Sequence, residues 1–129
     1  PDVTRCVPEN CETTFDIKDL KDWIRILKIA MAVSTDSYPS NTCRLDINAG
    51  FVVLVSTGLN SKFETDLVTT LAKGNLKSIS FSAKYLHDVL VFFKDSDVNV
   101  VTMGFNTALS PIRLTTDKDV LAVLSPVRA

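Results

Sequence analysis

The sequence is poor in the residues that build metal, disulfide and phosphate sites. It has one histidine, His87, and three cysteines, Cys6, Cys11 and Cys43. An odd count with no close pair argues against a disulfide framework, and a single histidine supplies a zinc site poorly. The cysteines read as buried or half-buried thiols in a reducing cytosol. Glycine is also scarce: Gly50, Gly58, Gly74 and Gly104 each stand alone, so none belongs to a phosphate-cradling loop. No apolar run approaches the roughly 18 residues that a membrane-spanning helix needs. The opening Pro1-Asp2-Val3-Thr4-Arg5 lacks the apolar stretch of a signal peptide. It also lacks an initiating Met, which is expected of a fragment cut from a longer protein. The formal net charge is −1. There is no global attraction to nucleic acid, so any DNA contact must come from a local stripe of positive charge.

What is present is an ordinary globular balance, 46% hydrophobic and 22% charged, in 129 residues. This suits one domain with a real core. Residues 1–10, with Pro1, Pro8, Glu9 and Asn10, read as an extended entry segment, and residues 11–129 as the domain. Residues 13–15 are a short β-prone run, and Asp16 is a good helix N-cap. Over residues 17–34 the apolar Leu20, Trp23, Ile24, Leu27 and Met31 recur with the spacing of one helical face. Three strands are expected next, at 42–48, 51–57 and 62–71, separated by turns at 48–50 and 58–60. The order then repeats. Residues 78–81 form a strand, Ser82 an N-cap and 83–93 a helix with Leu86, Val89, Leu90 and Phe93 on one face. Strands follow at 98–103, 112–115 and 120–124.

The repeat also shows in the letters. Phe15-Asp16-Ile17-Lys18-Asp19-Leu20 lines up with Phe81-Ser82-Ala83-Lys84-Tyr85-Leu86. Each stretch begins a strand–helix–three-strand unit. The expected fold class is α+β, with two antiparallel sheets and two helices packed side by side on one face.

Lys18, Lys21, Arg25 and Lys28 are spaced 3, 4 and 3 apart. At roughly 100° per residue they share an arc of about 80°, away from the Leu20–Trp23–Ile24–Leu27 face. Four cations in a stripe attract phosphates without reading base sequence. The plainer alternative is a solvated face with intrahelical pairs to Asp19 or Asp22. Catalytic constellations are poor. His87 beside Asp88 reads as a surface or inner-face residue, because neighbours in sequence do not face each other on a helix. Asp95 and Asp97 sit in an expected turn.

The stretch from Ile79 to Leu90 includes Phe81-Ser82-Ala83-Lys84-Tyr85-Leu86-His87-Asp88. It resembles the aromatic–Asn–x–x–Tyr–Leu–x–Asp–x–Leu helix opening in the last domain of the bacterial DNA polymerase III beta subunit, the replicative sliding clamp. Leu109-Ser110-Pro111-Ile112 and the closing Ser125-Pro126-Val127-Arg128-Ala129 resemble the same domain, and Pro1-Asp2 with Arg5-x-x-Pro8 resembles the linker that enters it. The resemblance runs across one domain of three.

The resemblance implies a non-catalytic processivity factor without cofactor or metal, cytoplasmic and nucleoid-associated in a bacterium. It implies a homodimeric ring in the full-length protein, encircling double-stranded DNA non-specifically, with helices lining the hole and no membrane contact. It implies a pocket for short peptide motifs of polymerase, clamp loader and repair proteins. The wall of that pocket maps to Pro1, Arg5, Cys6, Ser82, Tyr85, Leu109, Val123, Leu124, Ser125, Pro126, Val127 and Arg128. The alternative for Val123 and Leu124 is ordinary strand core. The family often has Asn at Ser82, Val at Cys6 and Met at Ser125. Lys18, Lys21, Arg25, Lys28 and Lys84 would face DNA, with Lys94 and His87 as thinner additions. Ala32 and Val33 would meet the ring neighbour. The rival expectation is a stand-alone interaction module that keeps the clamp fold without forming a ring.

Overall fold

The computed structural model describes residues 11–35, 41–48, 51–118 and 120–127. Its elements run β1 (Thr13–Ile17), α1 (Leu20–Val33), β2 (Thr42–Asn48), β3 (Phe51–Thr57), β4 (Lys62–Leu67), β5 (Ser78–Ser82), α2 (Ala83–Asp95), β6 (Val101–Phe105), β7 (Ile112–Thr116) and β8 (Leu121–Leu124). The strand–helix–three-strand order therefore occurs twice. All strands alternate faces, so Phe15, Ile17, Leu45, Ile47, Ile79, Phe81, Met103, Ile112 and Leu114 turn inward. They join Trp23 and Leu27 of α1 and Leu86, Leu90 and Phe93 of α2 in one apolar cluster.

The two antiparallel sheets have strand orders β1-β6-β7-β8 and β4-β3-β2-β5. Each takes three strands from one half of the chain and one from the other. Ile17 pairs with Val101 across β1 and β6, and Thr42 pairs with Ser82 across β2 and β5. Neither half holds a complete sheet of its own.

The helix boundary differs from the expected one. The strand continues through Ile17, because Thr13, Phe15 and Ile17 all fall on the buried face. Asp16 is therefore a strand residue rather than an N-cap. Its carboxylate accepts from Thr102 Oγ1 at 2.6 Å, and its N–H donates to Thr70 Oγ1 at 2.8 Å. The cap is Asp19, whose side chain accepts from the Asp22 N–H. By structure, Asp19 matches Ser82, and Trp23 and Leu27 match Leu86 and Leu90. The repeat is real in its element order, but the letter match of Phe15 to Phe81 is out of register.

The buried face of α1 is also rotated. Trp23, Ile26, Leu27 and Ala30 are buried, whereas Leu20, Ile24 and Met31 are only partly so. Trp23 sets this rotation: its indole Nε1–H donates to the Val68 carbonyl at 3.1 Å.

The strand expected over 62–71 stops at Leu67. The chain then crosses to the free edge of β1, where Thr14 and Lys73 exchange backbone bonds at 2.8 and 2.9 Å. Gly74 belongs to this crossing. It has φ +116°, and a Cβ there would lie 2.2 Å from the Glu12 carbonyl oxygen. The strand expected from 98 begins at Val101. Before it, Asp117 accepts from the Asn99 and Val100 N–H groups at 3.1 and 3.2 Å.

Asn41 joins the two helices. It sits at φ 62°, in the left-handed region. Its Nδ2 donates to the Met31 carbonyl at 2.9 Å near the end of α1. Its own carbonyl accepts from the Ala83 N–H at 2.9 Å at the start of α2. Replacing Asn41 by Gly keeps the backbone free to adopt this geometry and removes the side-chain bond, at a cost of about 1 kcal/mol. Replacing it by Ala adds the left-handed penalty, for a loss of about 2 kcal/mol. Urea melts of the two variants check this, with Ala below Gly below the parent; equal midpoints for all three contradict it.

The N–H groups of Val100 and Asn99 hold the Asp117 carboxyl below the usual carboxylate range. A depressed folded pKa contributes stability above the unfolded value and loses it as pH falls through the folded one. Amide protection at Asn99 and Val100 is therefore expected to fall on acidification below about pH 4. In Asp117→Ala it is low at neutral pH already. Hydrogen exchange read by NMR tests both, and protection that is the same in both proteins at all pH values rules the capping role out.

Candidate peptide-binding and DNA-facing surfaces

The C-terminal run links the two sheets. Strand β8 is an edge strand, with Val123 opposite Arg113 and Leu124 opposite Ile112. Beyond it the chain leaves its own sheet, and the Val127 N–H donates to the Ser80 carbonyl of β5 at 2.9 Å. This bond sets Ser125, Pro126 and Val127 beside the strand that leads directly into α2. Ser82 caps that helix by accepting from the Tyr85 N–H at 3.4 Å. Tyr85, in the first turn, is 62% exposed.

Leu109, 61% exposed, rides on a side-chain-closed turn just before β7. Thr107 Oγ1 accepts from the Leu109 N–H at 3.2 Å and lies 2.8 Å from Ser110 Oγ. The pairing of Ile112 with Leu124 puts this turn at the same end of the sheet as the C-terminal run.

Strand alternation divides the expected wall. Leu124 is 6% exposed and belongs to the core, with Ala122 packed on the same side. Val123 is half-buried and Ser125 exposed, on the opposite face. Of the expected wall, Leu124 therefore belongs to the core, while Val123, Pro126, Val127, Tyr85 and Leu109 keep apolar area at the surface. Pro1, Arg5, Cys6 and Arg128 lie outside the described residues. Ser80 was not singled out in the sequence, since its role uses only a backbone carbonyl. The one hint available was that β5 is short and polar on alternate residues.

Described residues also border clefts. One of about 620 Å³ is bordered by Asp46, Asn48, Gly74, Asn75 and Lys77. A shallow one of about 160 Å³, bordered by Thr42, Arg44, Val55, Thr57 and Ser80, shares Ser80 with the C-terminal run.

Lys21, Arg25 and Lys28 are exposed on α1, on the side away from Trp23, Ile26, Leu27 and Ala30. Arg25 is held by Asp22, with Nη2 to Oδ1 at 2.6 Å. Lys18 is not on the helix. It lies in the bend between Ile17 and Asp19, where its N–H donates to the Val68 carbonyl at 3.1 Å, so only three of the four cations form the stripe. Lys84 and Lys94 are exposed at the two ends of α2. Contrary to the expectation from helical spacing, His87 Nδ1 lies 3.2 Å from Asp88 Oδ1.

Ala32 is exposed and Val33 half-buried at the end of α1. The last turn there is fixed by the Ala30 carbonyl, which accepts from Ser34 N–H, Ser34 Oγ and Ser56 Oγ. Among the described residues, no group of His, Cys, Asp and Glu is arranged to hold a metal, and no helix is long and apolar enough to cross a membrane.

Cys43 is buried in β2, and burial pushes its thiol up to about 12. Cys11 is half-buried against Gly104, where a Cβ would lie 2.6 Å from the sulfur. The raised pKa leaves Cys43 neutral in folded and unfolded chains at neutral pH. Its contribution to stability is lost only as pH rises above the unfolded value of 9.0 toward the folded one. At pH 8 a thiol reagent is expected to label Cys11 in the native state and Cys43 only at the rate of unfolding. Native-rate labelling at Cys43, located by peptide mass, contradicts the packing described.

No protein-family model and no curated protein matches the chain. Solved structures do. Two helices against two antiparallel four-stranded sheets, in this order, are the fold of a sliding-clamp domain. The structures that share it include the DNA polymerase III beta chain of Streptococcus pneumoniae TIGR4, with 28% identity and a TM-score of 0.87. They also include the beta subunit of Thermotoga maritima, at 25% and 0.84, and the DNA polymerase sliding clamp of Bacillus subtilis, at 22% and 0.85. Each similarity covers 100% of this chain and 34% of the other. The chain thus spans about a third of the length of the clamps it resembles.

Proposed function

We propose that the chain acts as the third domain of a DNA polymerase processivity factor, with residues 1–10 as the linker into it and residues 11–129 as the domain. In that role it is non-catalytic and cytoplasmic, associated with the nucleoid. It contributes one part of a homodimeric ring around double-stranded DNA, with Ala32 and Val33 at a ring contact. It also contributes one wall of the pocket that takes short peptide motifs from polymerase, clamp loader and repair proteins.

The observation that carries the reading is the Val127–Ser80 bond. It brings the C-terminal run to the start of α2, beside an exposed Tyr85 and an exposed Leu109. An incoming Leu-Phe pair needs apolar area with polar groups at its margin. Val123, Pro126 and Val127 supply the area, and Tyr85 adds a ring with a polar tip. Ser125 makes this wall more polar than a Met would, which favours weak binding. The three cations of α1 support loose phosphate attraction that changes little as the helix moves along a duplex.

The test is an amide chemical-shift titration of the 129-residue chain with a Gln-x-x-Leu-Phe peptide. Shifts are expected at Ser82, Tyr85, Leu109 and 123–128, and they are expected to vanish in the Pro126→Ala, Arg128→Ala double variant. If nothing moves at millimolar peptide, the wall does not bind on its own: the fold stands, and the pocket has either degenerated or depends wholly on a second domain.

A further inference from the structure

The two helices differ in what they present to solvent. Outside its buried face α1 carries Lys21, Arg25 and Lys28 against a single acid, Asp22, an excess of two positive charges. In α2 the cations Lys84 and Lys94 are matched by Asp88 and Asp95, so the helix is neutral. The placement matters more than the count. Ala83, Leu86, Leu90 and Phe93 are the buried residues of α2. At roughly 100° per residue, the direction opposite them falls on Asp88, with Asp95 and Lys84 to one side and Phe92 to the other, Lys84 as far off as Phe92. Lys84, Asp88, Phe92 and Asp95 are all exposed. The outer face of α2 therefore carries two carboxylates, one lysine and a phenyl ring, with His87 Nδ1 3.2 Å from Asp88 Oδ1, whereas the outermost line of α1 is three cations. The helices pack directly against each other, so in the clamp reading both lines lie within reach of one duplex.

A phosphate approaching α1 meets attraction with no base readout. One approaching the middle of α2 meets like-charge repulsion and an aromatic ring with nothing to offer an anion. We propose that the helices divide the DNA-facing role unequally: α1 carries the phosphate contact, and Asp88 and Asp95 hold the duplex off α2. This rests on the clamp reading and adds to it a lateral bias. The backbone is held against one helix and kept from adhering to both, which preserves mobility along the duplex. Asp88 and Asp95 are positioning residues in this scheme, acting on DNA by repulsion.

The experiment is an amide-shift titration of the 129-residue chain with a short blunt duplex at low salt, repeated at several salt concentrations. In the parent, shifts are expected over residues 21–28 and not over 84–95. In Asp88→Asn, Asp95→Asn they are expected to spread onto α2, with affinity rising about threefold, the size of two screened like-charge repulsions. In Lys21→Ala, Lys28→Ala the salt dependence is expected to flatten, by a slope of about 0.9 for each phosphate that is no longer neutralised. The proposal is overturned if the parent shows comparable shifts on both helices, or if the double asparagine variant leaves pattern and affinity unchanged while the lysine variant still weakens binding. If neither helix responds in any protein, the DNA-facing reading itself has failed, which is a different result from the previous two.

Discussion

Strand exchange between the two halves is the constraint from which the rest of the structure follows. Strand β1 completes the sheet of the second half and β5 completes the sheet of the first. Because each helix follows its exchanged strand directly, exchange also forces α1 and α2 together at the middle of the molecule. Asn41 then bonds the end of one helix and the start of the other. A single apolar cluster forms because neither half has a closed core of its own.

Exchange leaves two seams, and the chain closes both in the same manner. After β4 it crosses to the free edge of β1, where Thr14 and Lys73 bond. After β8 it crosses to the free edge of β5, where Val127 bonds Ser80. The two crossings are equivalent in the repeat but carry different consequences. The first includes Gly74 packed hard on the Glu12 carbonyl, so it is spent on closure. The second runs past the exposed Tyr85 and leaves apolar surface open to solvent. The candidate binding wall is thus a seam closure left with an accessible outer side.

Much of this was legible in the sequence, for a definite reason. Alternation over 42–48 located β2 and the β-branched run at 51–57 located β3, the strands at 78–81, 112–115 and 120–124 fell within a residue of β5, β7 and β8, and the doubled element order gave the α+β class. What failed lay where two signals compete. Asp16 is a good cap by residue type, but burial of Ile17 kept the strand going and passed the cap to Asp19. The apolar letters of α1 mark a face containing Ile24 and Met31. The indole bond to Val68 turned the helix toward Ile26 and Ala30 instead. Lys18 fell off the helix for the same reason as Asp16. The wall residues were named through resemblance. Spacing alone could not separate Val123 from Leu124, which strand alternation then sent to opposite faces. Ser80 left no trace, since a backbone carbonyl is common to every residue.

Among the described residues, closing two seams leaves β4 and β8 as the remaining sheet edges, and they are unlike. An unpaired edge invites pairing with another chain, and charge along it discourages that. On β4 the exposed residues are Lys62, Glu64 and Asp66, with Lys62 and Glu64 3.3 Å apart. On β8 the strand is only four residues long, and its exposed residue is Leu121. The first edge limits unwanted pairing by charge, the second by brevity. Charge still permits a partner of complementary sign, whereas brevity restricts any partner to a few backbone bonds plus side-chain contact. In the proposed reading, recognition near β8 would then rest largely on side chains, the exposed Leu121 and the apolar ones that the Val127–Ser80 bond brings toward the start of α2.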